Sequence, residues 1–195
     1  MKNQIIKGSS FPDPIVDVKI KFTSEMVNEY IPVWNRVCEN ENKGIAFLAL
    51  IMAHKEGFKK GSRSYRFNNP GNIGNTDSGK NKALKSLEDG IKLQLDYIKR
   101  VASGNHKAFP LNKLVRIKPF YSEEIANNPK TYANKSPWVP GYEFIYTGQL
   151  QQFVKIYSTG ARSGNGYLSL IISYFDNMGI KINSETTIQE IIKMK

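Results

Sequence analysis

GIAFLALIMAHKEGF, residues 44–58, decides how the chain is read. Every position from Gly44 to Ala53 is apolar, so the segment predicts a helix buried on all sides and central to the fold. It ends in a charged tripeptide, His54-Lys55-Glu56, and then Gly57, a helix stop. A carboxylate at the mouth of a hydrophobic helix is an unusual placement, because Asp and Glu are rarely buried unless paired or working. Burial against Ile51, Met52 and Phe58 would raise the Glu56 pKa and keep the acid protonated near neutral pH, as a general acid requires. The plainer alternative is a helix-end carboxylate paired with Lys59, Lys60 or Arg63.

Three blocks come next: KKGSRSYR (59–66), FNNPGNIGNTDSGKNK (67–82) and ALKSLEDGIKLQLDYI (83–98). Residues 62–85 are poor in helix formers and rich in Gly, Asn and Ser, and predict a small hairpin-like lobe. Tyr65-Arg66-Phe67 is its expected strand edge. Asn69-Pro70-Gly71 is a tight turn, with Pro presetting φ and Gly tolerating a positive one. Ser86 followed by Asp89 is a capping-box-like start. Ile91, Leu95, Ile98 and Val101 then form the core stripe of a helix to about residue 102, closed by Gly104.

In its order of elements, residues 44–98 resemble the lysozyme-like superfamily. The nearest likeness is to phage and bacterial lytic transglycosylases or glucosaminidase-type peptidoglycan hydrolases. The likeness rests on the helix, the Glu56-Gly57-Phe58 junction, the Asn68-Asn69-Pro70-Gly71-Asn72-Ile73-Gly74 segment, and Leu87-Glu88-Asp89-Gly90-Ile91 opening a new helix. It implies a mainly α, α+β fold with a small β-hairpin lobe beside an active-site cleft. It implies that Glu56 protonates the glycosidic oxygen of peptidoglycan glycan strands, with no metal or organic cofactor. Thr76 and Asp77 stand where some families carry a residue that places water or steadies positive charge; the alternative for Asp77 is an Asx-turn acid. Tyr142 or Tyr146 is the expected hydrogen-bonding neighbour of Glu56. Asn69, Asn72, Ile73 and Trp138 are the expected substrate contacts. Asp77 at about 6.5–9.5 Å across the cleft would favour hydrolysis with inversion. With no second carboxylate in reach, the muramic acid C6 hydroxyl would close onto C1 and give an anhydro product.

A chain of 195 residues suits one domain, here 24–195, preceded by an arm at 1–23. The lone cysteine, Cys38, excludes an internal disulfide and reads as a small buried apolar side chain. Two histidines are too few for a zinc site. No apolar run reaches membrane-spanning length. The start MKNQIIKGSSFPDPIVDV lacks a signal peptide's apolar region, so the expected route to the cell wall is a phage particle or release from the host cytoplasm. Other virion proteins are then expected partners.

The net charge of +11 is concentrated. Residues 55–118 carry fifteen Lys/Arg against five Asp/Glu, while 1–54 and 119–195 are nearly balanced. Such a field favours anionic partners. Two rival classes stand beside the enzyme: a virion or tail structural protein with a lysozyme-like domain, which a strand at 15–22 and the C-terminal extension fit, and a basic nucleic-acid-binding domain, which the basic segment suggests. No nucleic-acid motif accompanies the basic segment, which argues against the latter.

Elsewhere, residues 15–22 partly alternate and predict a strand. Thr23-Ser24-Glu25 predicts the start of a helix over 24–39, bent at Pro32, with Val27, Tyr30, Ile31, Trp34 and Val37 inward. A short helix is expected within 111–117 and a helical turn over 120–126. Residues 127–146 form an aromatic loop, and helices are expected at 147–157, 167–178 and 184–193.

Overall fold

The structure, a computed structural model, describes residues 5–7, 21–74, 82–128, 130, 137–158 and 164–195. In chain order the elements are β1 (Ile5–Lys7), a π-helical turn (Met26–Tyr30), α1 (Ile31–Val37), α2 (Lys43–Lys55), α3 (Arg63–Arg66), α4 (Leu87–Ala102), β2 (Leu114–Ile117) and β3 (Phe120–Tyr121). They continue with α5 (Glu123–Asn127), β4 (Trp138–Val139), β5 (Gly141–Ile145), α6 (Leu150–Tyr157), α7 (Gly164–Asn177) and α8 (Ile188–Ile191). The chain is α+β and mainly helical.

Helix α2 is central, as its composition predicts, and packs against α1, α4 and α7. Leu48, Ala49, Ile51, Met52 and Ala53 are wholly buried. Each large side chain among them contributes about 1.5–3 kcal/mol of burial. The polar groups around α2 are satisfied through its backbone. Trp34 donates to the Ala46 carbonyl at 2.8 Å. Gln94 Nε2 donates to the Ala49 carbonyl at 3.2 Å, and the single Tyr30 hydroxyl proton is shared between Gln94 Oε1 at 3.2 Å and the Ala49 carbonyl at 3.3 Å. A buried glutamine is tolerated because both ends of its amide are used.

The expected helix over 24–39 is one helical run over 24–37, widened to a π-helical turn at Met26–Tyr30 directly ahead of α1, so the distortion sits beside Pro32, which has no N–H to give. The wider turn rotates the buried face. Met26 is wholly buried and Val27, expected inward, is exposed. Thr23 does cap this start, accepting from Met26 N at 3.1 Å while donating to the Phe58 carbonyl at 2.8 Å.

The structure corrects the strand expectations. Tyr65 and Arg66 belong to helix α3, not a strand edge. Ser62 caps it by accepting from Tyr65 N at 3.2 Å, which favours a helical turn. The described part of the 62–85 lobe holds no strand, so no hairpin is seen there. Its two limbs still meet, through Leu84 N to the Phe67 carbonyl at 2.9 Å. The short helix expected within 111–117 is strand β2. Its Leu-Val-Arg-Ile run suits either state locally, and pairing with β5 decides it. Residues 120–126 divide into β3 and α5, and the expected aromatic loop contains β4 and β5.

The main sheet has the order β1-β5-β2, with β1 parallel and β2 antiparallel to β5. Glu143 stands opposite both Lys7 and Arg116 and pairs with Arg116 Nη2 at 2.6 Å. The strand of the N-terminal arm is thus Ile5–Lys7, within this chain's own sheet. Most of the strand expected over 15–22 lies outside the described residues; Lys21 and Phe22 are not extended into one.

The C-terminal helix closes on α2. Thr187 and Glu190 form a reciprocal capping box at the start of α8. The α8 backbone comes so near Gly44 that a Cβ there would lie 1.8 Å from the Ile191 carbonyl oxygen.

Candidate active site

Glu56 caps the C-terminus of α2, where the chain reverses. Gly57 takes φ 65°, its N–H meets the His54 carbonyl at 3.0 Å, and Phe58 N meets the Ala53 carbonyl at 3.2 Å. This is a Schellman ending, with Phe58 buried as its hydrophobic lock. Ser64 donates to the Glu56 carbonyl at 3.4 Å, so the backbone carrying the carboxylate is held from both sides. Glu56 itself is partly buried.

The carboxylate borders a cleft of about 620 Å³, within the usual range for small-molecule and oligosaccharide sites. One wall is the Asn69–Gly74 loop. Asn69 is fully buried and organises it, with Oδ1 accepting from Ile73 N at 3.0 Å and Nδ2 donating to the Ile73 carbonyl at 2.9 Å. Asn68 and Asn72 take left-handed φ values of 49° and 51°, which Asn tolerates better than most residues. The loop lies tight on α4. A Cβ on Gly90 would come within 1.9 Å of the Asn68 carbonyl oxygen, and one on Gly71 within 2.7 Å of Gln94 Cγ.

The opposite wall comes from α4 and the segment after it. Leu93, Tyr97 and Arg100 face the cleft. Asn105 N meets the Arg100 carbonyl at 2.9 Å, and Gly104 takes φ 73° with its N–H on the Val101 carbonyl at 3.1 Å. This second Schellman ending turns the chain back, so that His106, Lys107, Ala108 and Phe109 also line the cleft. Tyr97, His106 and Phe109 pack edge-on, with ring centroids 5.1–6.0 Å apart. Burial first, then Arg100 and Lys107, hold the His106 pKa below its usual value. Lys82 completes the basic side, and Ile156 and Tyr157 of α6 supply the floor.

Tyr157 and Tyr167 are the tyrosines brought near Glu56. Their rings are 5.7 Å apart, and Lys55 Nζ lies 5.7 Å from the Tyr167 ring centroid. Burial, followed by neighbouring groups that include the Glu56 charge, pushes both phenols far above their usual pKa. Tyr157 donates its hydroxyl to the Gly71 carbonyl. The Tyr167 hydroxyl is buried and finds no partner among the described residues.

Of the expected site residues, Glu56, Asn72 and Ile73 line the cleft together. Asn69 stands behind them as a scaffold. Tyr146 does not line it: it is wholly buried against Phe109, at 5.7 Å between rings. Tyr142 also stands away from the lining, on β5 under Lys155 Nζ at 4.9 Å. Trp138 is exposed on β4, 4.9 Å from Tyr121, and does not line the cleft either. Thr76 and Asp77 lie outside the described residues. Tyr157 escaped notice because it ends the stripe Leu150-Phe153-Val154-Tyr157, which reads as core at helical spacing. Arg100, His106 and Lys107 carry no motif at all.

Chemically, the cleft offers one described carboxylate at a fixed helix end, apolar and aromatic faces beside it, and a basic wall opposite. Among the described residues no group of three His, Cys, Asp or Glu side chains is placed to hold a metal ion, and no helix is long and apolar enough to cross a membrane. No protein-family model, curated protein or solved structure matches this chain.

Proposed function

We propose that the chain cleaves peptidoglycan glycan strands by acid–base catalysis at Glu56. The observation that carries this reading is the placement of Glu56 at the rigid end of a buried helix, bordering a cleft large enough for sugar rings. The neighbouring apolar surface of Leu93, Tyr97, Ile156 and Tyr157 suits the apolar faces of pyranoses.

In this mechanism the protonated Glu56 gives its proton to the oxygen linking N-acetylmuramic acid to N-acetylglucosamine. The C1–O bond breaks and positive charge develops at C1. The C6 hydroxyl of the same muramic acid attacks C1, and its proton passes to the Glu56 carboxylate. The products are a 1,6-anhydro end and a free 4-hydroxyl; no water is consumed and Glu56 is again protonated. Glu56 is the carboxylate among the described lining residues, and this route asks for no second one.

The test is mass spectrometry of soluble products from purified sacculi, with wild type and Glu56→Gln. Anhydro-muropeptides that disappear in the variant support the reading. Reducing-end products that disappear keep Glu56 as the acid and make the enzyme a hydrolase. No release by a folded wild type across several wall types rejects glycan cleavage.

A further inference from the structure

The cleft has a charge asymmetry that general acid catalysis does not use. Lys82, Arg100 and Lys107 line it from three separate segments, against the single described carboxylate of Glu56. We propose that this basic wall is an anion subsite, selecting glycan strands by a negatively charged substituent carried on the sugar. The inference rests on reading the cleft as a glycan-strand site.

Three observations support it. First, the cations arrive by construction rather than by scatter. Arg100 is in the last turn of α4, and the Schellman ending after it folds Lys107 back onto the same wall. Second, Arg100, Lys107 and the His106 imidazole line the same cleft, and after burial it is these two cations that disfavour a charge on the ring. Third, the surrounding segment 55–118 holds most of the chain's excess positive charge, which raises the local concentration of anions. The ion pair of Arg100 Nε with Asp96 at 3.0 Å does not oppose this. The Arg100 and Asp96 side chains are 45% and 62% exposed, and such i,i+4 pairs are weak and readily exchanged for a better partner. A planar guanidinium beside an ammonium suits a carboxylate or phosphate oxygen pair. The aromatic faces of Tyr97 and Tyr157 on the same cleft call for a ring beside that anion, so a sugar bearing an acid fits better than a bare anion.

Two sources offer that chemistry. One is the lactyl carboxylate of muramic acid, free where the stem peptide has been removed, and the other is a phosphodiester polymer attached to the glycan. The experiment is calorimetric titration in a Glu56→Gln background, which prevents turnover. The ligands are peptide-free glycan strands, the same strands with their carboxylates amidated, soluble teichoic acid, and a single-stranded oligonucleotide. Free-acid strands are expected to bind about tenfold more tightly than amidated ones. Adding Arg100→Gln and Lys107→Gln removes that tenfold and leaves the amidated strands unchanged. Tight binding of teichoic acid, lost in the same variant, supports the subsite and names phosphate as its source.

Equal affinity for free-acid and amidated strands, without charge-dependent teichoic acid binding, overturns the proposal. So does a charge-neutral variant that binds as before, or an oligonucleotide that binds more tightly than any glycan. Both substituted positions are exposed, and a matching thermal melt establishes that the variant is folded. The two readings fail separately. Charge-selective binding without product release by wild type keeps the subsite and rejects cleavage. Product release without charge selectivity does the reverse.

Discussion

The hydroxyl of Tyr157, at the end of α6, donates to the carbonyl of Gly71 in the loop opposite. The two residues are 86 positions apart, and their bond ties the floor of the cleft to one of its walls. Tyr157→Phe removes the donor and leaves a buried carbonyl unsatisfied, a loss of about 1–3 kcal/mol. The expected melting temperature falls by about 2–4 °C for each kcal/mol at this chain length. Turnover on sacculi falls as well, because the loop carries Asn72 and Ile73. Differential scanning calorimetry with an unchanged melt would contradict the bond.

Tyr167→Phe has the opposite expectation for stability. Its hydroxyl is buried and unpartnered among the described residues, so the fold loses nothing when it is removed. The variant should melt at the same temperature as wild type or above it. A reduced kcat with that intact fold would mark the hydroxyl as positioning Glu56; a large drop in melting temperature would show that it has a structural partner.

Gly90 carries the contact between α4 and the Asn-rich loop. Gly90→Ala drives a methyl into the Asn68 carbonyl, 1.9 Å from an ideal Cβ, so backbone must move. Destabilisation of about 1–3 kcal/mol is expected, by the mechanism of overpacking. Gly166→Ala is the control: it is helical, exposed, and meets nothing within 4 Å. Better helix propensity there is worth about 0.5–1 kcal/mol of added stability. Urea titration of both variants measures the contrast, and equal effects would refute the close approach.

Acid should weaken the fold through His54. Burial first and then Lys55 lower its pKa in the folded state, where Nδ1 pairs with the Tyr174 hydroxyl. The unfolded imidazole keeps its ordinary pKa near 6.5. Above that value both states are neutral and stability is full. As pH falls through 6.5 the unfolded chain binds the proton first, and stability declines until the folded His54 also protonates. His106 shifts in the same direction. Melts between pH 7.5 and 5.5 should show the decline, and an NMR titration should place His54 below 6.5. A flat profile, or a His54 that titrates normally, counts against this packing.

Cys38 should be slow to react. The thiol is buried, and burial followed by the Glu41 charge pushes its pKa up to about 12. Little thiolate exists at neutral pH, so alkylation in the native state should be far slower than in guanidinium. Equal rates in the two conditions would place the thiol at the surface.

The features legible in the sequence were local. The all-round apolarity of 44–53 marked the buried helix, and Gly57, Gly104 and Gly179 marked helix ends that the structure has, each in a left-handed conformation. Ser86 caps α4 as its spacing with Asp89 predicts, at 3.1 Å. The position of Glu56 at a helix mouth came from the same signals. These features are set within one or two helical turns, where periodicity and capping act directly on the backbone.

Tertiary structure decided the rest. Residues 114–117 are a strand because β5 lies beside them; their local preference is not strong enough alone to choose. Tyr157 and Tyr167, rather than Tyr142 or Tyr146, stand close enough to Glu56 for its charge to act on them, because α6 packs on α7 and α7 on α2. The basic wall exists only once a helix ending folds Lys107 back to the cleft that Arg100 lines and the loop limb brings Lys82 to the same cleft. The sequence by itself determined where helices begin and end and which one is buried. Which side chains share the cleft depended on contacts between distant segments, whose free energy comes from burial and pairing that no local window contains.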